Sequence, residues 1–453
     1  MEEYIRRILT LGRKRLEKFA LKGGKPLPER PLIVKLMEEI RGFLGSGENR
    51  VILLYGLRGV GKTTMLAQLY LKLIGEVSGE RILYASVDEI KMLGYRLKDV
   101  FESYEHIIGE RLEELREPTI FLLDEVHYDE EWDLALKVAY DRARNLMIVA
   151  TGSSAIELKL STDLARRAKR FHITPLTFTE YLLLKGIRVN EEVKKVLKRL
   201  LLAGEVEGIE EEIRKTFLTF DPIEVERYLL YGSLPLALSS REPLEETYSI
   251  VERIIRWDLA KMGFSQEVLE KAFLLMLMLA SGEALNYDRL TSRLGISRPV
   301  LAKLLSAFEN LEVIFPVRAY GSLGKAIRKT PKYKFLAPVI RTSILNHFGL
   351  LEVNEKILGN LLEDVVALYL YIIARELSGS VTYDAEKGGA DFILTTPIGR
   401  IVLEVGWGKK GKEQVKRTMK KIGAERGIII HGGDFREKNG VIWLPKEWFL
   451  LML

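Results

Sequence analysis

The chain of 453 residues contains no cysteine and only five histidines. Without thiols there is no disulfide framework, no thiolate nucleophile and no Cys-ligated zinc or iron–sulfur cluster, and five histidines leave little for a His-rich metal site. Chemistry therefore falls to carboxylates, histidines and hydroxyls. Glutamine is almost as scarce, with Gln68, Gln266 and Gln414 alone; beside abundant Lys and Glu, this composition is expected of a thermophilic protein, working inside a cell of a very hot environment. Long apolar runs are missing too. Met1 to Arg15 alternates charge with Ile, Leu and Tyr as a water-facing helix does, and Phe273–Ala280 is too short to cross a bilayer. The expectation is a cytoplasmic protein with no signal peptide and no membrane span.

What is present is a chain with 47% hydrophobic and 29% charged residues, enough for about three domains at roughly 150 residues each. Its net charge of +6 is unevenly placed: Lys325 to Leu453 carries 21 basic and 14 acidic residues, whereas the preceding 324 residues carry 48 and 49. A basic terminal domain on a neutral body is the electrostatic footprint of nucleic-acid binding, although a solvated charged face gives the same count.

The first clear strand is Val51–Tyr55, followed by a glycine-rich loop and a helical stretch through Leu73. Further strands read Arg81–Val87, Thr119–Leu123 and Leu146–Ala150, separated by amphipathic segments such as Leu97–Arg116 and Trp132–Arg144. This alternation predicts a parallel α/β sheet. After Pro175 the pattern is helical, interrupted by a turn at Gly232–Pro235.

Gly56-Leu57-Arg58-Gly59-Val60-Gly61-Lys62-Thr63-Thr64 contains G-x-x-x-x-G-K-[ST] in full, between a strand and a helix. Glycines there let successive N–H groups turn onto phosphate oxygens, Lys62 supplies a positive charge to the β and γ phosphates, and Thr63 offers a hydroxyl to Mg²⁺. ATP and Mg²⁺ are the cofactors this implies. The apolar strand Ile120–Leu123 ends in Asp124 and Glu125; Asp124 would hold the magnesium ion and Glu125 would polarise the attacking water. His127 and Asp129 to Asp133 read as an exposed acidic loop. Thr151 and Ser153, at the end of the next strand, are candidates to sense the γ phosphate. Arg167 is a candidate to reach a neighbouring subunit's γ phosphate, which would make the protein a homo-oligomer.

These motifs, from Val51 to Pro235, resemble the archaeal and bacterial AAA+ type ATPases, which run from P-loop through a strand ending Asp-Glu to Thr-Gly-Ser, a Leu-Ala-Gly-Arg-like segment and Pro-Leu-Ser-Phe-x-Glu-Tyr. Here Arg166 stands where the family has the glycine before its arginine. The resemblance implies that Tyr231–Pro235 is a lid element whose Pro235 packs near the adenine. It also implies the order of parts: an N-terminal helical segment over 1–30, a P-loop AAA+ core over 31–175, a helical lid over 176–265, a winged helix over 266–345 and a restriction-nuclease-like α/β domain over 346–453.

Within Tyr287–Val317, Leu294-Gly295-Ile296-Ser297 joins two amphipathic helices, with Ser297 at an N-cap position and Pro299 in the first turn. Docked in a groove, Arg298 and Lys303 would touch phosphates or bases. In the last third, Glu363 lies on a helix, Asp391 starts a strand and Glu404 lies on the strand paired with it. That is the order of acids in PD-(D/E)xK nucleases, which use them to hold Mg²⁺ beside a lysine. The lysine is missing, since Glu404 is followed by Val405 and Gly406; Lys409 or Lys410 would have to replace it. The expectation is a degenerate domain that binds DNA without cutting. The run Lys409, Lys410, Lys412, Lys416, Arg417, Lys420 and Lys421 adds a cationic stripe suited to salt-sensitive, sequence-independent contact with the DNA backbone. Together these features predict an Mg²⁺-dependent ATPase that binds or remodels DNA, branched DNA included. The alternative is a nucleotide-controlled signalling or defence switch that oligomerises and recruits a protein.

Overall fold

The computed structural model describes residues 1–453 apart from 49, 154–159, 218, 283–285 and 409–410, and the side chains of 214, 217, 325 and 327. The chain forms two compact units, Met1–Thr174 and Pro175–Leu453.

In the first unit, β1 (Val51–Tyr55), β2 (Ile82–Ser86), β3 (Thr119–Asp124), β4 (Leu146–Gly152) and β5 (Ala168–His172) form one all-parallel sheet in the order β2-β3-β4-β1-β5. The first four strands are buried along their whole length, as near-continuous aliphatic runs covered on both faces must be. β5 is half-buried and escapes a hydrophobicity reading because Lys169 and Arg170 interrupt it. Such charges suit an edge strand, and Lys169 pairs with Glu39. Because all five strands run the same way, the loop after β1, the acids ending β3 and the hydroxyls ending β4 emerge at one edge, where open α/β sheets place their ligands.

The N-terminal helix, Glu2–Ala20, is part of this unit and not a separate segment. Its buried residues Ile5, Ile8, Gly12 and Leu16 recur at helical spacing. A Cβ on Gly12 would lie 3.1 Å from the Tyr70 hydroxyl, so glycine lets this helix approach the helix Lys62–Leu73. Tyr4, Ile5 and Ile8 join the same core as Leu53, Phe121 and Ile148.

In the second unit, β6 (Ile314–Ala319), β7 (Lys332–Phe335), β8 (Ser380–Tyr383), β9 (Phe392–Thr396), β10 (Gly399–Val405), β11 (Arg426–His431), β12 (Arg436–Lys438) and β13 (Val441–Pro445) form a mixed sheet in the order β12-β13-β11-β10-β9-β8-β6-β7. The helix Tyr287–Leu294 meets the helix Arg298–Asn310 through Gly295, whose φ of 65° is the left-handed conformation that ends a helix. Ser297 precedes the second helix, but its side chain makes no capping bond. The following pair β6 and β7 is antiparallel and is not a free-standing hairpin: β6 also pairs in parallel with β8, Thr382 opposite Arg318. The boundary expected at 345/346 therefore runs through a continuous sheet.

Among the described residues one helix, Glu355–Glu376, is long and apolar enough to cross a membrane, and 72% of its apolar window is buried inside the protein. Core packing accounts for that composition. Its buried Asp364 takes two hydrogen bonds from Arg341, Nε at 2.6 Å and Nη2 at 3.0 Å, while Arg341 Nη1 donates to the carbonyls of Leu279 at 3.1 Å and Ala280 at 2.7 Å. A charge pair out of water is tolerated when its hydrogen bonds are satisfied in this way.

Candidate functional site

At the end of β1 the chain passes within touching distance of its neighbour: a Cβ on Gly56 would lie 2.2 Å from the Ile173 carbonyl oxygen. Gly59 and Gly61, with φ of 89° and 97°, hold the left-handed turns that aim backbone N–H groups into the loop. Gly61 is the N-cap of the helix Lys62–Leu73, so the positive end of a helix dipole faces the loop. Arg30, which no motif flags, supports this cradle: its guanidinium donates to the Val60 carbonyl at 3.2 Å and the Thr174 carbonyl at 2.9 Å.

Lys62 is buried, and its ammonium donates to the carbonyls of Gly56 at 2.9 Å and Leu57 at 3.2 Å. Thr63 Oγ1 donates to Asp124 Oδ2 at 2.7 Å. Asp124 is buried and also accepts from Tyr84 Oη at 3.1 Å and from Thr151 Oγ1. Burial first, and then the charge of Glu125, raise its pKa. Its hydrogen-bond donors are hydroxyls, and these and the nearby charge of Lys62 offset only part of that rise. A hydroxyl and a carboxylate side by side above a glycine loop are the donor set a magnesium ion needs, so Thr63 and Asp124 fit one.

Glu125 adopts a left-handed backbone, φ 55°, at the end of β3. Its N–H donates to Thr151 Oγ1 at 2.9 Å, and its Oε2 lies 3.3 Å from Nδ1 of His127. Thr151 bridges Asp124 and the Glu125 backbone, so its hydroxyl positions the two acids. His127 is not a loop residue in water but a neighbour of the proposed base, and the Ser153 N–H donates to its Nδ1 at 3.4 Å. Asp129 is likewise buried: its Oδ2 accepts the Leu97 N–H at 2.6 Å and its Oδ1 the Glu131 N–H at 2.9 Å, a structural role in place of an exposed acidic one. Arg167 pairs with Asp141 at 2.8 Å and lies 5.2 Å from the Tyr140 ring centre.

In the second unit, Pro235 opens the short helix Pro235–Leu238. The preceding turn is structural: a Cβ on Gly232 would lie 2.8 Å from the Tyr181 ring, and Ser233 Oγ accepts the Val339 N–H at 3.1 Å. Arg298 pairs with Asp288 of the preceding helix, and Lys303 lies 4.7 Å from the Phe264 ring centre, both at the surface. Lys409 and Lys410 lie outside the described residues. The helix after them is Glu413–Ile422, with Lys412 as its N-cap, and among the described residues the cationic stripe comprises Lys412, Lys416 and Lys420. Lys421 is held by Asp384 and Glu386, each at 2.6 Å.

Asp391 and Glu404 are in hydrogen-bond contact and Glu363 lines the same cavity as Asp391, although Asp391 precedes β9 instead of starting it. The Asp391 N–H donates to Glu404 Oε2 at 3.3 Å, and Asp391 Oδ2 accepts the Val405 N–H at 3.2 Å. Two lysines that sequence reading passed over join them from β7: Lys332 lies 3.3 Å from Asp391, and Lys334 contacts Glu363. Only the pairing of distant strands reveals this.

Residues 48–182 match the model of an AAA domain, and residues 223–349 match a domain of unknown function, DUF8612. The five-stranded parallel sheet with its glycine loop is that of an AAA+ P-loop fold. The chain is 39% identical over 424 residues, 92% of its own length and 88% of the relative's, to the uncharacterized protein MJ1637 of Methanocaldococcus jannaschii. It is 26% identical over 296 residues to an uncharacterized protein of Haemophilus influenzae, covering 62% of this chain and 65% of that one. Among solved structures, the S. cerevisiae Hsp104–ADP complex overlaps 67% of this chain and 41% of its own, at 17% identity and a TM-score of 0.31.

Proposed function

The chain belongs to the family of the uncharacterized protein MJ1637, and on that premise we propose that it is an Mg²⁺-dependent ATPase that couples hydrolysis to binding or remodelling DNA, in a homo-oligomer. One observation carries the enzymatic half: Thr63 and Asp124 meet at 2.7 Å beside the loop that Lys62 closes. Lys62 would leave the Gly56 and Leu57 carbonyls for the β and γ phosphates. Thr63 and Asp124 would hold Mg²⁺, which when bound supplies charge neutralisation at the phosphates. Glu125, poised by Thr151 and His127, would polarise the attacking water. Arg167 would serve a neighbouring copy; its pair with Asp141, 33% and 47% exposed, is of the kind worth about 1 kcal/mol or less and opens at little cost.

The DNA half is supported by the basic surplus after residue 325, by the helix–turn–helix carrying Arg298 and Lys303 in a winged-helix-like segment, and by the stripe Lys412, Lys416 and Lys420. In this reading the nuclease-like domain grips phosphates and does not cut. ATP turnover with Mg²⁺, measured with and without duplex, forked and single-stranded DNA at two salt concentrations, tests both halves. Stimulation that fades with salt is expected. No stimulation and no binding at low salt would remove the DNA half, while no Mg²⁺-dependent turnover would remove the enzymatic half.

A further inference from the structure

On the nuclease-like reading, Glu363, Asp391 and Glu404 correspond to the acids that such a fold uses for a divalent ion. We infer that in this chain Lys332 and Lys334 have taken that ion's place, so that the second unit carries a built-in cation pair and has no affinity for Mg²⁺ or Mn²⁺ at this centre. The inference deepens the nuclease-like reading above and rests on it for the identity of the displaced ion.

Lys332 and Lys334 are two apart on β7 (Lys332–Phe335), so the pleat sends both side chains to one face. There Lys332 Nζ lies 3.3 Å from Asp391 Oδ1 and Lys334 contacts Glu363. The other oxygen of Asp391 accepts the Val405 N–H, and Glu404, itself buried, accepts the Asp391 N–H. Both oxygens of Asp391 are thus already engaged by hydrogen donors. A magnesium ion demands near-octahedral oxygens at about 2.0–2.1 Å and gives up its water reluctantly. Among the described residues no group of three or more acids or histidines is disposed to hold a metal. Charge accounting agrees, since two ammonium groups carry what one divalent ion would. Asp391 and Glu363 are partly buried, and β7 supplies each with a counter-charge.

The pair also closes a cavity of about 370 Å³ lined by Lys332, Lys334, Asn360, Glu363, Tyr383 and Asp391. Lys332 is 5.0 Å from the Tyr383 ring centre, a second attraction that keeps it on this wall. The same geometry admits a rival: Lys332, beside Asp391, could stand in for the missing nuclease lysine. The rival requires a metal at the acids, which the lysine-filled arrangement opposes.

The test is Mn²⁺ binding by the full, nucleotide-free chain, followed by the electron paramagnetic resonance of free Mn²⁺ and by thermal melting. Wild type and Asp391→Asn should bind the same number of Mn²⁺ ions. Lys332→Ala/Lys334→Ala should gain one ion at least tenfold tighter than any wild-type site, melt lower than wild type without metal, and regain that loss with Mn²⁺. Adding Asp391→Asn to the double variant should abolish the gain. The inference is overturned if wild type binds an ion that Asp391→Asn loses, if the double variant gains none, or if wild type nicks plasmid with Mn²⁺ and Lys332→Ala does not. The comparison of wild type with Asp391→Asn decides the matter even where the double variant does not fold. Failure of DNA binding would remove the nuclease-like reading while leaving the Mn²⁺ titration unchanged.

Discussion

The two units each gather carboxylates and lysine at the ends of strands, and they treat them in opposite ways. At Asp124 the partners are hydroxyls, from Thr63, Tyr84 and Thr151, while the ammonium of Lys62 is spent on the carbonyls of Gly56 and Leu57. At Asp391 and Glu363 the partners are the ammonium groups of Lys332 and Lys334. Hydrogen bonds from neutral groups orient a carboxylate without cancelling its charge, and Lys62 acts on Asp124 from a distance without pairing with it, so the first centre keeps its capacity for a cation. Ion pairs cancel it. Counting acids therefore does not identify a metal site; what decides is whether the protein has already supplied the positive charge.

The comparison breaks first at the first centre. Lys62→Ala should abolish ATP binding, seen by fluorescent-nucleotide titration, and Glu125→Gln should keep ATP while turnover falls by roughly 10²–10⁴-fold; normal hydrolysis by Glu125→Gln would cancel the assignment of the base. At the second centre, Arg341→Met should cost about 3–5 kcal/mol in denaturant unfolding, because it strands the buried Asp364 beside Glu363. A loss near zero would mean that this helix needs no charge lock. Next in size, Arg167→Ala should lower the rate only in the oligomer and leave ATP affinity intact. An unchanged rate would confine Arg167 to its pair with Asp141.

The smallest effect concerns Asp384, the acid that Lys421 holds away from the cationic stripe. Burial opposes its ionisation, yet Lys421, Thr418 and the Glu386 backbone outweigh burial and hold its carboxyl below the usual range. A carboxyl depressed on folding adds stability above its unfolded value of about 3.9 and loses it as pH falls through the lower folded value. Asp384→Asn should flatten the stability curve below about pH 4 and cost about 1–3 kcal/mol at neutral pH, as read by urea melts at pH 7 and pH 3.

The first centre was legible because its residues are local. Gly56 to Thr64 are consecutive, Asp124 and Glu125 end an apolar run, and parallel strands bring such ends together whatever the loops do. A hydroxyl at a strand end carries no mark of which neighbour it faces, so the contacts of Thr151 with Asp124 and the Glu125 backbone come from the fold alone. The charges of β5 hide it from a hydrophobicity reading, whereas the spacing of Ile5, Ile8, Gly12 and Leu16 gives the N-terminal helix a buried face.

Motif and hydrophobic period were thus sufficient for the parallel sheet, the phosphate loop and the acids, since each depends on residues near one another along the chain and on strand direction alone. Tertiary pairing settled the rest. Lys332 lies 59 residues from Asp391 and Lys334 lies 29 from Glu363, and Arg341 lies 23 from Asp364. Such partners are chosen by which strand borders which in the sheet and by the cost of leaving a charge unpaired away from water.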